Sequence, residues 1–165
     1  MLVVDGGSRD DTAAVADVGG CNFLVADGPL GRRLKTAVAW ARAPWLLFLR
    51  PGTILDAPWI GETTHFVERA PPDSRAAVFR RAARAAVFRP HGIADLLRPG
   101  LGEIVSLLRV TFGGGAKPEQ GLLIAQRFYQ SIGGHPGGAD AEAALLRKLG
   151  RRRIAMLPAG AGPSR

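Results

Sequence analysis

Apolar and polar residues fall in short alternating blocks along this chain, and the blocks predict a repeated strand–helix order. Leu2-Val3-Val4 is an apolar run stopped by Asp5-Gly6-Gly7, a strand followed by a turn. Ser8 with Asp11 three residues on reads as a capping box with Asp in place of Glu. It opens a helix over Thr12 to Val18 that Gly19-Gly20 ends. Asn22 to Ala26 is a second strand, and Gly28-Pro29-Leu30-Gly31 a loop. Arg32 to Arg42 is a helix with Leu34, Val38 and Ala41 on one stripe. Pro44 breaks it. Trp45 to Leu49 is a continuous apolar run, expected as a strand buried on both faces and ended by Pro51-Gly52. Pro58 suits the first turn of a helix reaching Arg69. Strand and helix alternating three times are the mark of an α/β protein with a doubly wound, parallel sheet.

Beyond residue 70 the pattern weakens. The hexapeptide RAAVFR starts at Arg75 and again at Arg84, too short a repeat for a solenoid. Ala76 to Arg80 in the first copy reads as a strand, while Ala85 to Arg89 in the second fits strand and helix alike. Leu101 to Val110 reads as a helix, and Phe112 to Pro118 as a glycine-rich loop. Gly121 to Ala125 is a strand, and Gln126 to Ile132 a helix closed by Gly133-Gly134. Ala139 to Leu149 is an alanine-rich helix ended by Gly150, and Ile154 to Leu157 a last strand. Residues 159–165 are small and polar, expected as a disordered tail behind one domain spanning 1–158.

The 165 residues suffice for one core, and 47% apolar with 22% charged residues is a globular balance. No apolar run approaches the about 20 residues of a membrane span, and the N-terminus has no signal-peptide pattern. The lone Cys21 excludes an internal disulfide framework. With His65, His91 and His135 scattered, a structural zinc site is not expected either. The net charge of +8 suits a phosphate-bearing ligand, although a GC-rich codon bias, which replaces Lys with Arg and fills a chain with Ala, Gly and Pro, is the alternative account. Aromatics do not alternate with basic residues as in a base-stacking platform, so no nucleic-acid partner is expected.

Ligands of open α/β sheets bind beyond the carboxyl ends of the strands. That rule directs attention to Asp5, to the Arg50-Pro51-Gly52 turn, and to the loops before residues 121 and 139. Asp5, followed by two glycines and a helix start, suits a sugar hydroxyl or a base N–H, and the nearby backbone N–H groups suit an anion. The same residues also suit a plain turn with a helix cap.

Four blocks resemble one family. VVDGGSRDDT (Val3 to Thr12) resembles the VVD(D/G)GSxDxT signature of family 2 glycosyltransferases. GRRLKTAVAWARAPWLLFL (Gly31 to Leu49) is similar to that family's loop, small-residue helix and central strand. EQGLLIAQRFYQSIGG (Glu119 to Gly134) resembles its DQGLFxRRxxFxxxGGF stretch near the acceptor site. LLRKLGRRRIAMLP (Leu145 to Pro158) resembles the passage after its Glu-Asp motif. The resemblance implies a GT-A fold: a Rossmann-like, mostly parallel sheet flanked by helices, with residues 1–70 as the nucleotide-binding part and 71–158 as the acceptor part. It implies an inverting transfer of a sugar from a nucleoside-diphosphate donor to a lipid or polysaccharide acceptor, with a carboxylate taking the acceptor's proton.

Carried over to this sequence, the resemblance gives Asp5 to the donor's base and Arg32 and Arg33 to the nucleotide loop. Glu119 and Gln120 fall on the acceptor side. Glu142 falls at the catalytic base, and a one-residue slip would give that place to Asp140. Two features depart from the pattern. Where the family has a DxD motif for Mg or Mn, this chain reads Arg50-Pro51-Gly52-Thr53, which offers no oxygen ligand in the motif's positions. Either Arg50 supplies the positive charge itself, or it is merely solvated. Asp56 lies beyond that turn. The family's opening strand, of the SVVIPTLNE kind, has no counterpart here, so the first strand is expected to be missing from the sheet. The expected place is the cytoplasm, and Arg147, Lys148, Arg151, Arg152 and Arg153 either rest on an anionic inner membrane face or favour a helix end. The alternative function is a non-catalytic nucleotide-sugar-binding remnant.

Overall fold

The computed structural model describes residues 1–69, 85–90, 116–150 and 153–163. The expected strand at Ala76 to Arg80, the helix at Leu101 to Val110 and most of the loop before Pro118 lie outside them. The chain divides into two compact units that are not sequential halves: Met1–Leu46 with Gln126–Lys148, and Leu47–Ala125 with Leu149–Arg165. A boundary at residue 70 therefore does not mark them.

In the first unit, β1 (Leu2–Asp5) and β2 (Asn22–Val25) pair in parallel, Leu2 opposite Asn22 and Asp5 opposite Val25. The crossover between them is α1 (Thr12–Val18), which buries Ala16. The expected Ser8–Asp11 capping box does not form: Asp11 is the N-cap and makes no side-chain cap bond. Ser8 turns back to Asp5 instead, and Thr12 donates its N–H and its hydroxyl to the Asp10 carboxylate. Helix α2 (Leu30–Trp40) begins two residues earlier than the sequence suggests and buries Gly31 and Val38. Of the expected stripe only Val38 is fully buried. The Gln126 side-chain amide donates to the Ala41 carbonyl at 3.2 Å, tying the end of α2 to α4 (Gln126–Ser131). In α5 (Ala141–Leu149), Ala141, Leu145, Leu146 and Leu149 are buried, at helical spacing, and Arg147 and Lys148 are exposed.

Apart from Trp45 and Leu46, the second unit holds a five-stranded sheet in the order β3-β6-β5-β7-β4, from β3 (Trp45–Phe48), β4 (Thr53–Leu55), β5 (Ala85–Pro90), β6 (Leu122–Ala125) and β7 (Ile154–Pro163). Strands β5 and β7 run parallel, whereas β5–β6 and β4–β7 are antiparallel. The α/β class is as expected, with mixed pairing in this sheet. Of the second RAAVFR copy, Ala85 to Arg89 lie in strand β5. β6 supplies the core through Leu122, Leu123 and Ile124. β3 is an edge strand of this order. Leu46 alone of its residues is buried, so the expectation of burial on both faces fails. The expected disordered tail is also corrected. β7 continues to Pro163 because Ala159 and Ala161 are small enough to bury, at 2% and 1% exposure. A register shift after Phe88 brings Gly160 opposite Arg89. Helix α3 (Trp59–Arg69) completes the described elements together with a 3-10 turn at Pro118–Gln120. Among the described residues no helix is long and apolar enough to cross a membrane.

Candidate functional site

Asp5 ends β1 almost buried, and its carboxylate organises the loop that follows. Oδ2 accepts the N–H groups of Gly7 (2.7 Å) and Ser8 (2.6 Å), and Oδ1 accepts the Ser8 hydroxyl (2.5 Å). Gly7 makes this tight return possible with φ of +94°, a conformation that costs glycine little. The Ser8 hydroxyl, and after it the Ser8 N–H, hold the Asp5 carboxyl below the usual carboxylate value, against the opposing effect of burial.

Arg33, in the first turn of α2, lies over this loop. A methyl group at Gly6 would stand 3.0 Å from its Cζ and nearer still to Nη1. The Arg33 Nε is buried without a hydrogen-bond partner among the described residues. A buried, unpaired donor on a charged group is costly, and an anion's oxygen would satisfy it. Arg32 is exposed and packs its stem against Gly28. One residue before it, Gly31 sits so close to the next element that a Cβ would overlap the Pro136 carbonyl oxygen and lie 2.8 Å from the Ala141 Cβ. The first turn of α2 thus touches the Asp5 loop through Arg33 and the start of α5 through Gly31.

That start carries both candidate bases. Asp140 precedes α5, its carbonyl accepts the Ala144 N–H (3.0 Å), and its Oδ2 accepts from Arg147 Nη2 at 3.1 Å in an exposed ion pair. Glu142 lies in the first turn and is partly buried. Asp5, Arg32, Arg33, Asp140 and Glu142 all belong to the first unit, and Arg50, Glu119 and Gln120 to the second.

In the second unit, Arg50 opens the turn after β3. The Thr53 N–H donates to its carbonyl (3.1 Å), and Gly52 has φ of +75°, as the third residue of a type II turn requires. Arg50 Nη1 donates to Glu119 Oε1 at 2.9 Å, with both side chains largely in solvent. Gln120 is 4% exposed: its Oε1 accepts the Lys117 N–H (2.6 Å) and its amide nitrogen faces Met156 Sδ (3.8 Å). It therefore shapes the turn that presents Glu119. Asp56 accepts the Gly160 N–H through Oδ2 (2.8 Å) and clasps β7.

Sequence reasoning passed over one pair. Tyr129 and His135 are buried together, with the Tyr129 hydroxyl 2.8 Å from His135 Nδ1 and accepting the His135 N–H at 3.1 Å. The ring of Tyr129 leaves no room for a Cβ on Gly134, whose φ is +62°. Burial, and after it the Lys35 charge, push the imidazole down to about 4. The double glycine before His135 was the available signal.

No family model matches the chain, and no curated protein matches it. Solved structures do. Glucosyl-3-phosphoglycerate synthase from Mycobacterium tuberculosis in complex with UDP superposes with a TM-score of 0.62 at 16% identity, over 94% of this chain and 57% of that one. The same enzyme with Mn2+, UDP-glucose and phosphoglyceric acid gives 0.63 at 17%, over 94% and 56%. A mycobacterial protein gives 0.56 at 18%, over 94% and 53%. The chain thus spans little more than half the length of these neighbours, and it has the α/β fold of GT-A glycosyltransferases. Among the described residues no group of three or more His, Cys, Asp or Glu is placed to hold a metal ion, the turn after β3 included. Arg50 puts a cation there, already bonded to Glu119, and Asp56 is taken up by Gly160. These residues do not fit a divalent ion, which needs a cage of free oxygens.

Proposed function

We propose that this chain belongs with nucleotide-sugar-dependent, inverting glycosyltransferases of the family 2 type, with its donor-handling groups in the first unit. The observation that carries this reading is the Asp5 loop under Arg33, whose buried Nε has no hydrogen-bond partner among the described residues. The loop gives a base or ribose a shaped floor, and Arg33 gives a diphosphate a fixed charge. In the reaction, an acceptor hydroxyl oxygen attacks the anomeric carbon and its proton passes to Glu142. Asp140, in an exposed ion pair with Arg147, is the alternative for that role. The bond from the anomeric carbon to the diphosphate oxygen breaks with its electron pair on the diphosphate, and Arg33 meets the charge that develops there.

The acceptor is a lipid or glycan on this reading. The neighbours' phosphoglyceric acid makes a small phosphorylated acid the first alternative to assay. Association with an anionic membrane face draws only on exposed residues such as Arg147 and Lys148, which also favour the carboxyl end of α5. A second reading, binding of the nucleotide sugar without transfer, is favoured by the Arg50–Glu119 pair standing where the resemblance puts metal ligands.

The test is calorimetric titration of the full chain with UDP, followed by UDP release from UDP-glucose with each acceptor class. Binding that falls at least tenfold in Arg33→Ala supports the donor site. Binding with no turnover selects the second reading. No binding of UDP, or of the other nucleoside diphosphates, removes both.

A further inference from the structure

We propose that Gly31 is a positioning residue for transfer, fixing the spacing between the donor loop and the carboxylates at the start of α5. The inference rests on the donor reading above and adds a residue to which that reading gives no part.

Gly31 is helical and has no positive φ, so its backbone conformation admits any residue. An alanine there would even favour the helix. Space is what requires glycine: a Cβ would overlap the Pro136 carbonyl oxygen and crowd the Ala141 Cβ at 2.8 Å. Ala141 is 1% exposed and directly precedes Glu142, so it is the buried foot on which that carboxylate stands. Two residues beyond Gly31, on the same rigid turn, Arg33 covers Gly6. One helical turn therefore spans from the loop that would hold the diphosphate to the side chain that would take the proton. Pro136 is followed by the exposed Gly137 and Gly138, so this segment can give way when Gly31 is enlarged. The carboxylates would then shift, while the bonds within the Asp5 loop stay as they are. A displacement near 1 Å can cost transfer on the order of a hundredfold, although the ligand still binds.

Gly31→Ala is the first variant. Ala141→Gly, which removes the facing methyl group and adds no atom, is the second in case the first fails to fold. UDP affinity is measured by titration, and UDP release from UDP-glucose gives kcat and KM. The expected result is a UDP affinity within threefold of wild type in both variants. kcat falls at least tenfold in Gly31→Ala and about threefold to tenfold in Ala141→Gly, with KM little changed. Unchanged kcat in both variants overturns the positioning role and leaves the donor reading standing, as does a parallel loss of affinity and kcat. A wild-type chain that binds UDP but releases none from UDP-glucose, with or without acceptor, removes transfer and the positioning role together. A wild-type chain that does not bind UDP removes the donor reading as well.

Discussion

Acidification from neutral pH should destabilise this protein through His135. The imidazole is 1% exposed, hydrogen-bonded to the Tyr129 hydroxyl, and lowered to about 4 by burial and by Lys35. The Tyr129 oxygen accepts the His135 N–H as well, so two hydrogen bonds tie the pair together. In the unfolded chain the same group titrates near 6.5. Between that value and about 4 the unfolded state binds a proton that the folded state refuses, so stability falls as the pH falls and is fully regained above 6.5. At about 1.4 kcal/mol per pH unit the whole interval amounts to a loss on the order of 3 kcal/mol, a large share of a small domain's stability. The assay is urea unfolding followed by tryptophan fluorescence at fixed ionic strength, from pH 7.5 to 4.5. His135→Asn keeps an acceptor and cannot titrate, so it should be weaker at pH 7.5 yet lose most of the slope. Lys35→Gln should move the onset of the remaining loss to lower stability cost, because it removes the repulsion that opposes the imidazolium. A flat wild-type profile across this range, or an unchanged slope in His135→Asn, would refute the reasoning.

Gly134→Ala should cost about 1–3 kcal/mol by urea unfolding, since a Cβ meets the Tyr129 ring at 2.7 Å and the φ of +62° disfavours alanine. Arg50→Ala and Glu119→Gln should each change stability by no more than about 1 kcal/mol, and less in high salt, because their pair is solvent-exposed. If Arg50 nevertheless serves the donor's charge, as its position in the resemblance suggests, UDP release without added Mn2+ should disappear in Arg50→Ala while the melting temperature barely moves.

Much of the first unit was legible because its elements are defined by local chemistry. Asp5-Gly6-Gly7 stops a strand, Gly19-Gly20 stops a helix, and Leu145 and Leu149 mark one helical face. Errors arose where another group competes for a side chain, or where partners come from far along the chain. Ser8 and Asp11 have capping-box spacing, but the Asp5 carboxylate competes for Ser8 and wins with two hydrogen bonds. The Ala159 to Ala161 segment looks like a tail until β4, β5 and Asp56 supply its ladder and clasp. Gln120 sits in a segment that resembles an acceptor motif, yet its amide is used inside the turn. Gly31 and His135 matter through space and burial, which no local pattern encodes.

This bears on how far the VVDGGS signature can argue for function. Each of its residues has work inside the loop: Asp5 accepts, Gly7 supplies the positive φ, Ser8 donates twice, and Gly6 leaves room for Arg33. The signature therefore accounts for the loop's shape without any ligand. What the loop does not account for is the Arg33 Nε, buried with no hydrogen-bond partner among the described residues. Asp5→Asn and Arg33→Ala should accordingly fail in different ways. Asn replaces an acceptor of three bonds by a group that must turn a donor toward them or lose one oxygen. The loop should then loosen, with faster amide exchange at Gly7 and Ser8 whether or not UDP is present. The wild-type loop should show the same loosening only in strong acid, as the pH falls below 3.8 through the lowered value of the Asp5 carboxyl. Arg33→Ala removes an unsatisfied donor and should leave the exchange rates of the free protein unchanged or slower, while UDP affinity drops. Equal effects of the two substitutions on exchange and on affinity would mean that Arg33 is only another brace of the loop, and the argument for a diphosphate would lose its support.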